Sequence, residues 1–404
     1  MSIPSKLKVP KNVFVLGLVS LFNDIASEMI YPIIPIFLTA VLQAPVITVG
    51  FIEGMAEAVS SFLKVVSGWL SDKFKKRKPF VVGGYSLSTL SKVLIGLAYH
   101  WPLVFVARIG DRLGKGVRTS ARDALIADST LLEQRGRAFG LHRTMDTMGA
   151  VFGPLLALLF LALVGEPHLR YIFFLAFIPA FIGVVLLVLF VKDRPVETVA
   201  GPKLSFKFSS LSPKFKLFLL ISLIFCLGNS ADAFLILRAK DLGFSTSLAV
   251  LAYVTFNITY ALFSMPAGIL ADKIGFRKVF LAGMLIFAVV YSGFGLTHSG
   301  ALLWILFPIY GFYMAFTEGV GKAYISKLVA KEHVATAMGF YQMATGLCLL
   351  AASLIGGALW TYINPSLTFI FGGVMATIAA IVFVVLGHRL PVPVPVPPKI
   401  ESQS

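Results

Sequence analysis

Fifteen ionisable side chains stand inside stretches that are otherwise apolar. The acids are Asp24, Glu28, Glu53, Glu57, Asp111, Asp146, Asp232 and Glu318; the bases are Lys64, Lys92, Arg108, Arg112, Lys115, Arg118 and Arg143. At the centre of a bilayer each would cost about 2.5–3.5 kcal/mol if it faced hydrocarbon. Such a set persists only where charges face water, one another or the interior of a helix bundle. Crowded carboxyls at similar depth suit reversible protonation, which makes Asp24, Glu28, Glu53 and Glu57 candidates for ion coupling or substrate binding. Arg108 and Arg112 either hold a substrate anion or neutralise Asp111. His142, beside Arg143 and Asp146, is either a proton relay or a hydrogen-bonded interior histidine. Asp72, Asp272, Arg118 and Arg122 suit pairing that locks helices together, and Asp128 and Glu133 read as solvated loop residues.

The elements that position these groups are long helices. At 100° per residue Asp24, Glu28 and Tyr31 fall within about 60° of one another, as do Glu53, Glu57 and Lys64, and Asp111, Lys115, Arg118 and Arg122. Each set is one polar stripe on an apolar helix. The composition is 57% apolar and 13% charged, with 36 Phe and a mean hydropathy of +0.88, far from a soluble domain. Apolar runs predict twelve spans, at 12–40, 46–71, 79–99, 101–126, 138–164, 168–191, 214–238, 246–271, 278–297, 301–326, 334–362 and 365–387. The first, second and fourth carry enough charge to be missed on hydropathy alone.

The net charge of +16 is not a nucleic-acid footprint, because the basic residues sit in short clusters between apolar runs. Of the basic residues outside the spans nearly all fall in alternate loops, among them Lys73 to Lys78, Arg135, Arg137, Lys273, Arg277 and Lys278. The opposite loops hold Arg170, Arg238 and Lys240. The positive-inside rule then puts both termini in the cytoplasm and the spans in an inner membrane. Cys226 and Cys348 lie in apolar runs without metal-ligand spacing and read as buried filler. The polar, proline-containing segment 192–213 reads as a cytoplasmic linker between bundles at 1–191 and 214–388. The tail 389–404, with prolines from Pro391 to Pro398, reads as extended and solvated.

Shifting the sequence by 200 residues superposes Gly68, Asp72, Lys73, Arg77 and Lys78 on Gly268, Asp272, Lys273, Arg277 and Lys278, after the second helix of each half. A shift of 199 aligns Ala138 and Gly140 with Ala337 and Gly339. These loops resemble the G-x-L-a-D-r-x-G-r-[RK] signature of major facilitator transporters. The second copy, with Gly275, matches well, whereas the first has Phe74 and Lys75 where the family has x-Gly. The run Gly149, Gly153, Pro154 resembles the fifth-helix motif of the proton-coupled antiporters of that superfamily, without its trailing glycine pair. It also suits plain packing of small residues against a neighbouring helix.

The resemblance implies an all-α membrane protein whose twelve transmembrane helices form two pseudo-symmetric six-helix bundles around a central cavity. It implies a secondary active transporter working by alternating access, with Gly68, Asp72, Lys73, Arg77 and their counterparts Gly268, Asp272, Lys273 and Arg277 forming a cytoplasmic gate. Proton-coupled antiport of a small organic solute is the leading expectation. Proton-coupled uptake of a polar or anionic metabolite is the alternative, and a transporter-like sensor or scaffold a distant third. The shift places Tyr253 and Asn257 where the first half has Glu53 and Glu57, so ion coupling is expected in the first half. Pro32 and Pro35 in the first helix and Gly356 and Gly357 in the eleventh are expected to bend their helices. No catalytic, phosphate-binding or metal motif occurs, so no enzyme and no cofactor is expected. The expected partners are a small-molecule substrate, protons and lipid, with the chain a monomer.

Overall fold

The computed structural model describes residues 10–74, 76–131, 134–193, 211–330 and 333–387. Most of the expected linker and the whole of the tail 389–404 lie outside the described residues. Twelve helical spans follow one another: α1 Lys11–Val41, α2 Val46–Phe74, α3 Lys78–Gly96, α4 Trp101–Asp128, α5 Arg135–Val164, α6 Leu169–Phe190, α7 Pro213–Asp241, α8 Thr246–Ile274, α9 Phe276–Leu296, α10 Gly300–Leu328, α11 Val334–Tyr362 and α12 Pro365–Leu386. They form an all-helical membrane fold of two pseudo-symmetric bundles, α1–α6 and α7–α12. An even number of spans brings both ends of the described chain to one side, here termed the terminal face; the opposite side is the distal face.

Ten of the spans are long and apolar enough to cross a membrane by composition. The two that fall short are α3 and α4, not the first and second. Their polar residues meet one another at a shared interface, so neither helix needs an apolar surface all round. Outward positions stay greasy: Leu163, Met265 and Val289 are 75%, 76% and 72% exposed. That exposure suits hydrocarbon rather than water.

Two spans are broken at matching depth. α1 stops at Ile30, turns through Tyr31 and Pro32, resumes at Ile33–Ile36 and widens to a π-helix over Phe37–Val41. α7 stops at Gly228 and resumes at Ala233–Asp241. The first break was expected from Pro32; the second was not. Its backbone is held by side chains of the second bundle: Ser353 Oγ accepts from Ala231 N at 3.1 Å, and Ser230 and Tyr291 hydroxyls meet at 2.9 Å. Irregular backbone at membrane depth survives only where protein or a cavity replaces lipid. α11, by contrast, runs unbroken through Gly356 and Gly357. These glycines pack rather than bend. A Cβ on Gly357 would lie 2.8 Å from Ile47 Cα, and one on Gly54 2.8 Å from Leu350 Cα. Gly50 and Gly346 meet the opposite helix in the same way, giving α2 and α11 a close seam between bundles.

At the α8–α9 turn Gly275 has φ +98°, a conformation L side chains rarely adopt. The glycine of the loop signature is therefore fixed by backbone geometry in the second copy. Among the described residues nothing lies within 4 Å of a Cβ added at Gly268, so no neighbouring helix approaches it closely in this conformation.

Candidate functional site

Between the bundles lies a cavity of about 560 Å³. Its deepest lining residues, Tyr31, Glu53 and Asp232, sit at the helix breaks or mid-span. Others, including Arg143, Phe280, Lys322 and Tyr341, stand within about two turns of the terminal-face ends of their helices. The cavity thus runs from mid-membrane toward the terminal face.

Contacts between bundles close the other side. Ile47 N donates to Thr361 Oγ1 at 2.9 Å, Thr246 N donates to Glu166 Oε1 at 2.6 Å, and Lys240 Nζ lies 3.9 Å from Glu166 Oε2. Deeper in, Tyr253 Oη donates to Glu28 Oε2 at 3.0 Å while the Tyr31 and Tyr253 rings pack 5.6 Å apart. Asn257 supports Tyr253 from one turn away, its Nδ2 donating to Tyr253 O at 3.0 Å.

The first bundle supplies an ionised wall. Arg108 grips Glu53 through two parallel bonds, Nε to Oε1 at 2.8 Å and Nη2 to Oε2 at 2.7 Å, and reaches Asp111 Oδ2 through Nη1 at 3.2 Å. Asp111 also accepts from the Ser88 hydroxyl and lies 3.6 Å from Lys92 Nζ. Lys92 is fully buried, and its ammonium donates to Ser88 O at 3.2 Å. Low-dielectric surroundings make such a network stable only when every charge has a partner, and here each does.

Arg112, four residues on, differs. It lines the cavity, and its nearest carboxylate oxygens are on Glu57 at 3.8 Å and Asp111 at 4.0 Å. Lys64 lies 3.8 Å from the other Glu57 oxygen. Sequence spacing left Arg108 and Arg112 equivalent; the fold gives Arg108 to buried carboxylates and Arg112 to the cavity.

The remaining acids of the first bundle gather along α1 and α5. Asp24 and Asp146 are in side-chain contact. Asp146 further accepts from Ser20 Oγ at 3.0 Å and Arg143 Nη1 at 3.1 Å, and Asp24 from Asn23 Nδ2 at 3.2 Å. Glu28 has its tyrosine partner and no ion pair among the described residues. This closeness depends on the helix 5 glycines. A Cβ on Gly149 would lie 2.7 Å from Leu21 O, and one on Gly153 2.6 Å from Ile25 O and 2.9 Å from Glu28 Cβ. Pro154 sits inside α5 without ending it. Gly149 and Gly153 therefore do what small residues do between membrane helices, letting α5 reach α1. His142 is buried, and its Nε2 has no hydrogen-bond partner among the described residues.

In the second bundle Glu318 accepts from Tyr260 Oη at 3.0 Å and Asp232 from Tyr310 Oη at 2.7 Å. Asp232 and its neighbours Asn229, Ser230 and Ala231 all line the cavity from the broken stretch of α7. Gly228 followed by Asn229 and Ser230 inside an apolar run was the available signal for that break.

Of the expected gate, Gly68, Asp72 and Lys73 fall outside the residues whose side chains are described. Arg77 is buried; its Nε donates to Asp128 Oδ2 at 3.4 Å within the first bundle, and its N to Asp193 Oδ1 at 3.4 Å just beyond the end of α6. Asp128 is thereby a half-buried partner at the end of α4 rather than a solvated loop residue. Asp272 and Lys273 are exposed, and Arg277 Nη2 donates to Val384 O at 3.4 Å.

Comparison with known proteins agrees with this architecture. The sequence profile of the Major Facilitator Superfamily matches residues 16–237 and 217–403. The chain is 39% identical over 385 residues, 93% of its own length and 94% of the relative's, to the uncharacterised MFS-type transporter MJ1317 of Methanocaldococcus jannaschii. A shorter likeness, 32% identity over 128 residues (32% of each chain), links it to multidrug resistance protein MdtH of Photorhabdus laumondii. Among solved structures, a bacterial homologue of the human lysosomal transporter Spinster superposes with a TM-score of 0.77 at 16% identity, covering 96% of this chain and 98% of that one. By sequence profile, by a relative matched over more than nine-tenths of both chains and by fold, the chain belongs to the major facilitator superfamily and is a multi-pass membrane transporter, not an enzyme.

Proposed function

We propose that the protein is a proton-coupled antiporter that exports a small organic solute by alternating access, with the terminal face cytoplasmic. The observation that carries this reading is the Glu28–Tyr253 hydrogen bond, which joins the two bundles just beneath the distal seal. As a carboxylate, Glu28 is a strong charge-assisted acceptor for that hydroxyl. Protonation removes the charge and weakens the link between bundles, so proton binding biases which face is open. Asp24 and Asp146, in contact one turn away, can share a second proton because two touching carboxyls do not both stay ionised. Glu53 is less suited to this task, since Arg108 holds it through two bonds. The likeness to a protein named for multidrug resistance supports the outward direction.

The clustering of basic residues on loops of the terminal face supports its cytoplasmic placement in an inner membrane. Proton-coupled uptake is the second reading, favoured by the cationic side chains Arg112 and Lys115 on the cavity wall. Proteoliposomes with an acidic lumen separate the two. Antiport accumulates solute in the lumen as protons leave; symport depletes it. Glu28→Gln should abolish gradient-driven accumulation while preserving solute exchange without a gradient. Unchanged pH dependence in both Glu28→Gln and Asp24→Asn would refute the coupling assignment.

A further inference from the structure

The cavity wall supplied by α2 and α4 carries more positive charge than its carboxylates neutralise. Lys64, Arg112 and Lys115 all line it. Glu57 is the acid among them, 3.8 Å from both Lys64 Nζ and Arg112 Nη1. Those separations lie beyond hydrogen-bond reach. Asp111, 4.0 Å from Arg112, is already engaged by Arg108, Lys92 and Ser88. Among the described residues none of the three basic side chains donates a hydrogen bond, and Arg112 Nε is buried without a partner. Among the described residues Lys115 makes no ion pair, and it is exposed to the cavity. Counted on α2 and α4 alone, three cations to one unengaged carboxylate leave a surplus of two at mid-membrane. Asp24 and Glu28 of α1 also face Lys115 and reduce that surplus, but neither bonds to any of the three among the described residues, and Lys92 and Arg108 nearby are fully partnered. A surplus of this kind, desolvated on one side, attracts an anion and repels a cation.

The facing wall is of different chemistry. Phe225, Tyr313 and Tyr341 line it with aromatic surface. Its two acids, Asp232 and Glu318, are held by Tyr310 and Tyr260. The cavity volume suits a small organic molecule.

Resting on the transporter reading above, we infer that the substrate is an organic anion. Its carboxylate or phosphate is seated on Arg112, Lys115 and Lys64, and its body lies against Phe225, Tyr313 and Tyr341. The planar guanidinium of Arg112 supplies a fork matched to either anionic group, and the two ammonium groups supply adjustable donors.

The test is ligand binding by the purified full chain in detergent, at one pH and without a gradient, read as a thermal-unfolding shift. Four probes share one ring: benzoate, phenyl phosphate, benzamide and benzylamine. At least one anion should raise the midpoint in a saturable way, while the neutral amide and the amine do not. Stabilisation by benzoate alone marks a carboxylate substrate, and by phenyl phosphate alone a phosphate ester. Arg112→Gln and Lys115→Gln should each weaken apparent affinity about tenfold or more, the loss of one charge-assisted contact. Lys115 makes no side-chain contact that folding requires, so its variant keeps the test open even if Arg112→Gln folds poorly. Equal binding of benzamide or benzylamine, unchanged affinity in Lys115→Gln, or no stabilisation by either anion would overturn the inference. A protein that passes here and fails the pH-gradient assay binds anions without proton exchange, so the two failures remain distinct.

Discussion

Replacing Arg108 by Met tests whether the buried charge network is structural. Arg108 is 2% exposed and makes three charge-assisted bonds, at 2.8, 2.7 and 3.2 Å, to carboxylates that are themselves 6% and 7% exposed. Asp111 keeps Lys92 and Ser88 after the substitution, but Glu53 loses its only ion-pair partner among the described residues. Leaving one buried charge unpaired costs about 3–5 kcal/mol. Arg112→Met, whose guanidinium makes no hydrogen bond among the described residues, should cost under about 1 kcal/mol, in the range of a long, partly solvated pair. The two variants differ by one helical turn and the same chemistry, so each controls for the other. Denaturant-induced unfolding in mixed micelles, followed by tryptophan fluorescence, measures the difference. The double variant Arg108→Met with Glu53→Met should recover at least roughly 2 kcal/mol, because it removes the orphaned carboxylate along with the cation. Equal destabilisation by Arg108→Met and Arg112→Met, or a double variant no better than the single, would refute the reasoning.

Two further outcomes follow from packing. Gly153→Val should destabilise the protein by roughly 1–3 kcal/mol, because the added atoms meet α1 backbone already 2.6–2.8 Å from the Cβ position, whereas Gly268→Ala should leave the unfolding midpoint unchanged; equal effects in the same unfolding assay would contradict the packing described. Cysteines placed at Ile47 and Thr361, which touch across the distal seam at 2.9 Å, should cross-link under mild oxidant and halt flux until reductant is added; undiminished flux by the cross-linked protein would show that this seam does not open during transport.

The twelve spans were legible because helical stripes and alternating basic loops are local properties. The break in α7 was not, although the 200-residue repeat lays Asp232 over Pro32. No proline marks the second copy, and the unwound stretch is held by Tyr291, Tyr310, Tyr313 and Ser353, all remote in sequence. The polar stripes were likewise readable, but not their partners. Arg108 and Arg112 differ by only about 40° around α4, and only packing against α2 and α3 decides which of them is enclosed. Glu28 and Tyr253 were candidates on separate grounds, and the contact between them is a property of bundle docking. Cys226 and Cys348, read as buried filler, each tie α7 to α11: Cys226 Sγ donates to Thr345 O and Cys348 Sγ to Leu223 O, both at 3.3 Å.

The seam between α2 and α11 has glycines on both of its sides, at Gly50, Gly54, Gly346 and Gly357. At these positions one side of each contact has no side chain, so the side chains it meets, such as Ser61 and Leu350, rest on backbone and are not threaded between others. Apart from the Ile47–Thr361 hydrogen bond, the adhesion is close-range dispersion, which is lost steeply within the first ångström of separation. Such a joint behaves as a latch with two settings rather than a spring. One added methyl on either rail would hold it ajar, turning a closed door into a leak.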